Sequence, residues 1–102
     1  ELLRRKLPAN GPDVVLTRVT VSGLLAGSEK TLAYEMIDYY DEGAKLTSMM
    51  RTTAFPTSVI AQMVTAGTIA LRGVAPPEQC VPPDPFLREL HTRRIVFTES
   101  IR

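Results

Sequence analysis

The sequence predicts an α+β fold: an antiparallel sheet built on a hairpin, with helices on one face. Three observations predict it. Val14 to Leu25 alternates, with Val15, Thr17, Val19 and Val21 on one side and Arg18, Thr20 and Ser22 on the other, as in a strand with one wet face. A second strand-like stretch, Thr31 to Tyr40, follows after the turn-forming Ala26-Gly27-Ser28. Leu46 to Gly67 then changes to helical spacing, and a second, shorter helix signal and a last apolar triplet close the chain.

Glu1 to Leu7 is expected to be a helical tail stopped by Pro8, and the run around Asn10-Gly11-Pro12 a turn or linker. Gly23 marks a candidate bulge in the first strand. In the return strand, Leu32, Tyr34 and Met36 share a face with Asp38 and Tyr40, while Ala33, Ile37 and Tyr39 make the other face partly apolar. A strand apolar on both sides needs cover on both sides. A helix of the same chain supplies one cover; a second subunit or another domain would supply the other, unless Tyr39 and Tyr40 only rim an exposed sheet.

In the central helix, Val59, Ile60, Met63 and Val64 recur at helical steps and share a face, and Gly67 stands where a left-handed residue ends a helix. Two starts fit. Pro56 could be the first helical residue, or the helix could begin at Thr47 or Ser48 with Pro56 kinking it. We take the second, because Met49, Met50, Thr53 and Ala54 would continue the buried face. No Asp or Glu lies between Lys45 and Ala66, so the positive end of the helix dipole has no local acid to neutralise it, and Arg51 sits one turn inside. Such an end can receive a carboxylate or phosphate. The plainer reading, which the residues alone favour, pairs Arg51 with Asp38 or Asp41. Those two acids read as solvated or paired groups rather than a catalytic pair.

Thr68 to Gln79, with Gly73 and Pro76-Pro77, is a loop with room for a short helical turn, and Cys80 beyond it is a small apolar filler without a partner base. Asp84-Pro85 is a helix start, Phe86, Leu87 and Leu90 its apolar stripe. His91, Arg93 and Arg94 complement the dipole at its end. Ile95-Val96-Phe97 is the closing strand.

The 102 residues suffice for one domain, and a net charge of +1 with scattered basic residues gives no long-range field for nucleic acid or an anionic membrane. Apolar runs reach about three residues, far below the roughly 20 of a membrane helix. The single cysteine excludes an internal disulfide and suits a reducing compartment, so a cytoplasmic setting is expected. A dinucleotide-binding G-x-G-x-x-G, a phosphate-binding G-x-x-x-x-G-K-[ST] and a zinc-type Cys/His cluster are all missing, and no nucleophile, base and orienting group come together. No metal is expected and no catalytic residue is assigned. Opening on Glu1 and Leu-Leu-Arg-Arg-Lys-Leu, the chain reads as a piece of a larger protein.

Three places carry a family resemblance. Ser48-Met49-Met50-Arg51-Thr52-Thr53-Ala54-Phe55-Pro56 looks like the Ala-Met-Ala-Arg-Thr-Thr-Gly-Phe-Pro helix start of the saccharopine dehydrogenase-like oxidoreductases, which include saccharopine reductases, lysine dehydrogenases and carboxynorspermidine dehydrogenases. Gly73-Val74-Ala75-Pro76-Pro77-Glu78 is similar to that family's Gly-Val-x-Pro-Pro-Glu loop, and Asp84 to Leu90 running into a strand resembles its usual close. Asp38-Tyr39-Tyr40-Asp41 also looks like the acidic, aromatic strand end that precedes the helix there. Met50 and Ala54 depart from the commoner Ala and Gly.

The resemblance implies the C-terminal substrate-binding and dimerisation part of a two-domain dehydrogenase. An N-terminal Rossmann domain, absent from this chain, would bind NAD or NADP, and a hydride would pass between nicotinamide and a carbon beside an amino group, through an imine. Arg51, Thr52 and Thr53 would then sit near the interdomain cleft and contact, or support contacts to, the carboxylate of an amino acid or related amine substrate. The isolated chain would be an inactive fragment and a homodimer. The competing expectation is a non-catalytic association module of the same fold.

Overall fold

In the computed structural model, which describes residues 11–102, two long strands form the hairpin: β1, Val14–Leu25, and β2, Ser28–Tyr39. The helical opening expected for Glu1 to Leu7 lies outside the described residues. The strands pair antiparallel from Val14↔Tyr39 to Leu25↔Ser28 without a break, so Gly23 sits in register opposite Lys30 and makes no bulge. Ala26 and Gly27, at φ 51° and 79°, are both left-handed. A two-residue turn of that kind follows the twist of the strands and lets pairing run right up to it, which is why β2 begins at Ser28 rather than Thr31.

Helix α1, Ser48–Thr65, starts as the hydroxyl pattern predicts: the Thr47 side chain accepts the Met50 N–H at 3.0 Å. Pro56 lies inside it, and the Thr57 hydroxyl donates to the Thr53 carbonyl at 2.9 Å one residue beyond. Gly67, at φ 76°, ends the helix, with its N–H on the Val64 carbonyl and the Ile69 N–H on the Met63 carbonyl. A short helix, α2, covers Pro77–Cys80, and α3 covers Pro83–Thr92. The start of α3 falls two residues earlier than Asp84-Pro85 suggests. Pro82 precedes it without a side-chain cap, Pro83 supplies the first helical φ, and Asp84 stands in the first turn facing the positive dipole end.

The last strand, β3, is Phe97–Ile101 and pairs antiparallel with β2 from Met36↔Phe97 to Leu32↔Ile101, giving a three-stranded sheet in the order β1-β2-β3. The sequence pattern places it at Ile95 to Phe97 instead. Arg94 closes α3 in a left-handed conformation (φ 62°), and the Ile95 N–H turns back onto the Leu90 carbonyl at 3.0 Å. Ile95 is thereby drawn into the core, and pairing begins only at Phe97.

The core is the cluster of Met36, Val59, Met63, Ile69, Leu90 and Ile95, with Val15, Phe55, Phe86 and the half-buried Cys80 packed against it. It lies between the helices and one face of the sheet, at the end where β1 begins and β2 finishes. On α1 the inward residues are Ser48, Arg51, Val59 and Met63, with Phe55 half-buried between them. Met49, Met50, Thr53 and Ala54, expected to continue the buried face, are exposed instead. The reason is electrostatic: the sheet presents Asp38 to the start of the helix, so the polar Ser48 and Arg51 turn inward and the methionines turn out. The far sheet face is bare, leaving Leu16, Ile37 and Tyr39 exposed, and the hairpin outruns the helices, so Val19 and Val21 are exposed too.

Candidate functional site

The start of α1 and the end of β2 share a buried polar network. Asp38, on the helix-facing side of β2, is 4% exposed and Arg51 is 6% exposed. The Arg51 guanidinium grips Asp38 through Nε (3.1 Å to Oδ2) and Nη2 (3.1 Å to Oδ1), reaches Asp41 Oδ2 through Nη1 (3.2 Å), and donates through Nη2 to the Arg93 carbonyl (3.1 Å). This fork-to-carboxylate geometry is specific to arginine. The Ser48 hydroxyl lies 2.8 Å from the Asp38 carbonyl and 2.9 Å from its carboxylate, and the Phe55 ring centroid lies 5.5 Å from the guanidinium carbon. No buried side-chain polar atom among the described residues lacks a partner.

The helix end itself is neutralised after all. Asp13, immediately before β1, accepts the Ser48 N–H at 2.5 Å and the Met49 N–H at 2.9 Å. The acid absent from the neighbouring sequence comes from 35 residues upstream, so the site for an external anion at that end is already filled by the chain's own carboxylate. Burial alone would raise the Asp13 pKa, but the hydrogen bonds from Met49 and Ser48 outweigh it and hold the carboxyl below the ordinary aspartate range. Asp41 is held low as well, first by the hydrogen bond from the Ala44 N–H, with the Gly43 N–H and the charges of Arg51 and Arg94 adding to it against burial.

A group whose folded pKa is depressed stabilises the fold above its unfolded value, about 3.9, and loses that contribution as pH falls through the folded value. The urea midpoint of this chain is therefore expected to be flat from about pH 7 to 5 and to drop below about pH 4, with a shallower drop for Asp13→Asn. A midpoint unchanged down to about pH 3 would contradict this assignment.

Beside the network opens a groove of about 450 Å³, lined by Tyr39, Tyr40, Asp41, Arg51 and Arg94 among others. Of the three residues singled out in the sequence, the fold brings only Arg51 to it. The Thr52 hydroxyl donates to the Ser48 carbonyl at 2.8 Å, and Thr53 is exposed on the helix surface with its hydroxyl 3.8 Å from the Met49 sulfur. Arg94 is the residue that sequence reasoning missed as a groove component. Its position at the end of α3 explained it fully as a dipole partner, and only the left-handed turn there sets it beside Asp41. Chemically, the groove sets two guanidinium groups and two phenols beside three carboxylates, Asp38, Asp41 and Glu42, a set suited to a small ligand that carries both charges rather than to a simple anion. A larger hollow of about 640 Å³ lies on the bare sheet face, between Leu16, Ile37, Val96 and the Arg18–Glu35 ion pair. Its walls are mainly aliphatic and lie on the opposite sheet face from the buried network, which suits a packing partner better than a charged substrate.

A family model for the saccharopine dehydrogenase C-terminal domain matches residues 2–96. No solved structure matches the chain. With a match over nearly its whole length, an α+β fold and an antiparallel three-stranded sheet, the chain belongs to the saccharopine dehydrogenase C-terminal domain family.

Proposed function

We propose that the chain is the substrate-binding and dimerisation domain of an NAD(P)-dependent oxidoreductase that acts on an amino acid or related amine, by hydride transfer through an imine. The observation that carries this reading is the groove at the end of β2, lined by Arg94 and Arg51 together with Asp41 and Glu42, in a chain of this family. A substrate carboxylate would meet Arg94 there, and a substrate ammonium the acids Asp41 and Glu42. Arg51, with most of its N–H groups engaged by Asp38, Asp41 and the Arg93 carbonyl, holds the groove wall in place; Arg94 makes no side-chain hydrogen bond among the described residues and is the better donor. In this reading Thr52 supports the start of α1, and Thr53 faces the neighbouring domain.

The described residues do not fit a dinucleotide. The sheet is antiparallel, and no glycine-rich turn joins a strand to a helix N-terminus, so nothing cradles a pyrophosphate. The nicotinamide cofactor would supply the hydride from a separate domain, and this chain would orient the amino-acid end of the substrate. No helix among the described residues is long and apolar enough to cross a membrane; the cytoplasmic setting rests on the lone thiol.

The test is an NMR titration of the chain with a panel of α-amino acids. Resonances of Tyr40, Asp41 and Arg94 are expected to shift together, and Arg94→Ala to weaken binding roughly tenfold, the worth of one charge-assisted hydrogen bond. Saturating amino acid that leaves the groove resonances unmoved would remove the substrate reading. The alternative, a non-catalytic association module, is favoured by one observation, the bare apolar sheet face around Leu16, Ile37 and Tyr39.

A further inference from the structure

The outer edge of β1 runs for 12 residues without a strand beside it among the described residues. Soluble proteins shield such edges with proline, lysine, a bulge or a covering segment. β1 contains no proline or lysine, its register has no bulge, and its one charged residue, Arg18, is drawn across onto Glu35 of β2. The strand is otherwise rich in Val and Thr, residues that suit a paired strand. Such an edge is built to be paired.

We propose that β1 pairs edge to edge, antiparallel, with β1 of a second copy, joining two three-stranded sheets into one continuous sheet. This rests on the homodimer reading above and names its surface. A two-fold register centred on Val19 meets the requirements of charge and burial. It sets Arg18 opposite the partner's Thr20, so the two arginines are not directly opposed, and it sets Val14 opposite the partner's Leu24 on the bare face. On the helix-bearing face the partner's Leu25 arrives opposite Asp13, whose carboxylate holds the Met49 N–H. Met49 is 62% exposed and Leu25 56% exposed in the single chain, and this register brings them together to cover one another. Pairing over about ten residues supplies roughly ten main-chain hydrogen bonds, the number a standard interface carries. The outward Met49, a misfit for a helix in a lone domain, then has a purpose.

The test compares the wild-type chain with Val19→Lys and Ile37→Lys by light scattering over a range of concentrations, with circular dichroism to verify folding. The wild type is expected to have twice the chain mass. Val19→Lys places two ammonium groups opposite each other at the two-fold axis and is expected to weaken the dimer at least roughly tenfold. Ile37→Lys, on the bare face, is expected to leave it intact. Amide exchange of the wild type gives a reading that does not depend on the variants: β1 amides are expected to gain protection as concentration rises. A wild-type dimer insensitive to Val19→Lys but broken by Ile37→Lys would overturn the edge assignment while leaving the homodimer reading standing. A wild-type monomer, or β1 protection independent of concentration, would overturn the edge pairing; a monomer would remove the homodimer reading with it.

Discussion

Arg51→Met is expected to destabilise the chain by about 3–5 kcal/mol, the cost of stranding a buried carboxylate without its cation. Asp38 is inside the protein and takes two guanidinium contacts, while Asp41 and the Arg93 carbonyl depend on the same side chain. Because Arg51 ties β2, the turn at Asp41 and the end of α3 to the start of α1, its loss acts on the whole end of the fold where the core sits. The loss would be a large fraction of the 5–15 kcal/mol that holds a domain of this size together, and the urea midpoint should fall accordingly. Arg51→Lys should recover only part of it, since one ammonium cannot serve two carboxylates and a carbonyl at once. Replacing the pair together, Asp38→Leu with Arg51→Met, should recover more than Arg51→Met alone, because no charge is then left buried. A fall under about 1 kcal/mol for Arg51→Met would place the network in water rather than in the interior.

Leu90→Ala is expected to cost about 2–5 kcal/mol. Leu90 is 2% exposed and is the residue through which α3 enters the core beside Val59, Met63 and Ile95. Among the described residues the cluster has six buried apolar members, close-packed side chains that cannot readily shift to close the cavity. Its carbonyl also accepts the N–H groups of Arg93 and Ile95, so the same residue anchors the turn that carries Arg94 to the groove. Leu87→Ala, one turn-face away and exposed, is the control and should change the midpoint by under about 1 kcal/mol. Equal effects at the two positions would mean that α3 is not docked as described.

Legible in the chain alone were the hairpin, the long helix starting at Thr47 or Ser48 and ending at Gly67, room for a helical turn near Pro76-Pro77, and the family, through Ser48 to Pro56 and the Pro-Pro-Glu loop. These are local matters: the period of two, the period of 3.6, and the preferences of residues next to each other in the chain. Pairing of Arg51 with Asp38 or Asp41 was also legible, because the acids lie within one strand-to-helix turn of it; that one guanidinium holds both was not.

The rest depended on contacts between segments far apart in the chain. Hydropathy cannot distinguish a buried serine or arginine from an exposed one, so it puts Met49 and Met50 inside and treats Ser48 only as a candidate cap; the outcome turns on Asp38 on the sheet. Asp13 caps α1 from 35 residues away, a partnership that no window of sequence contains. Arg94 joins Arg51 at one groove only because the chain turns left-handed after α3 and brings β3 back beside β2. Each of these is a long-range electrostatic or packing choice, and such choices exist only once distant segments share a surface.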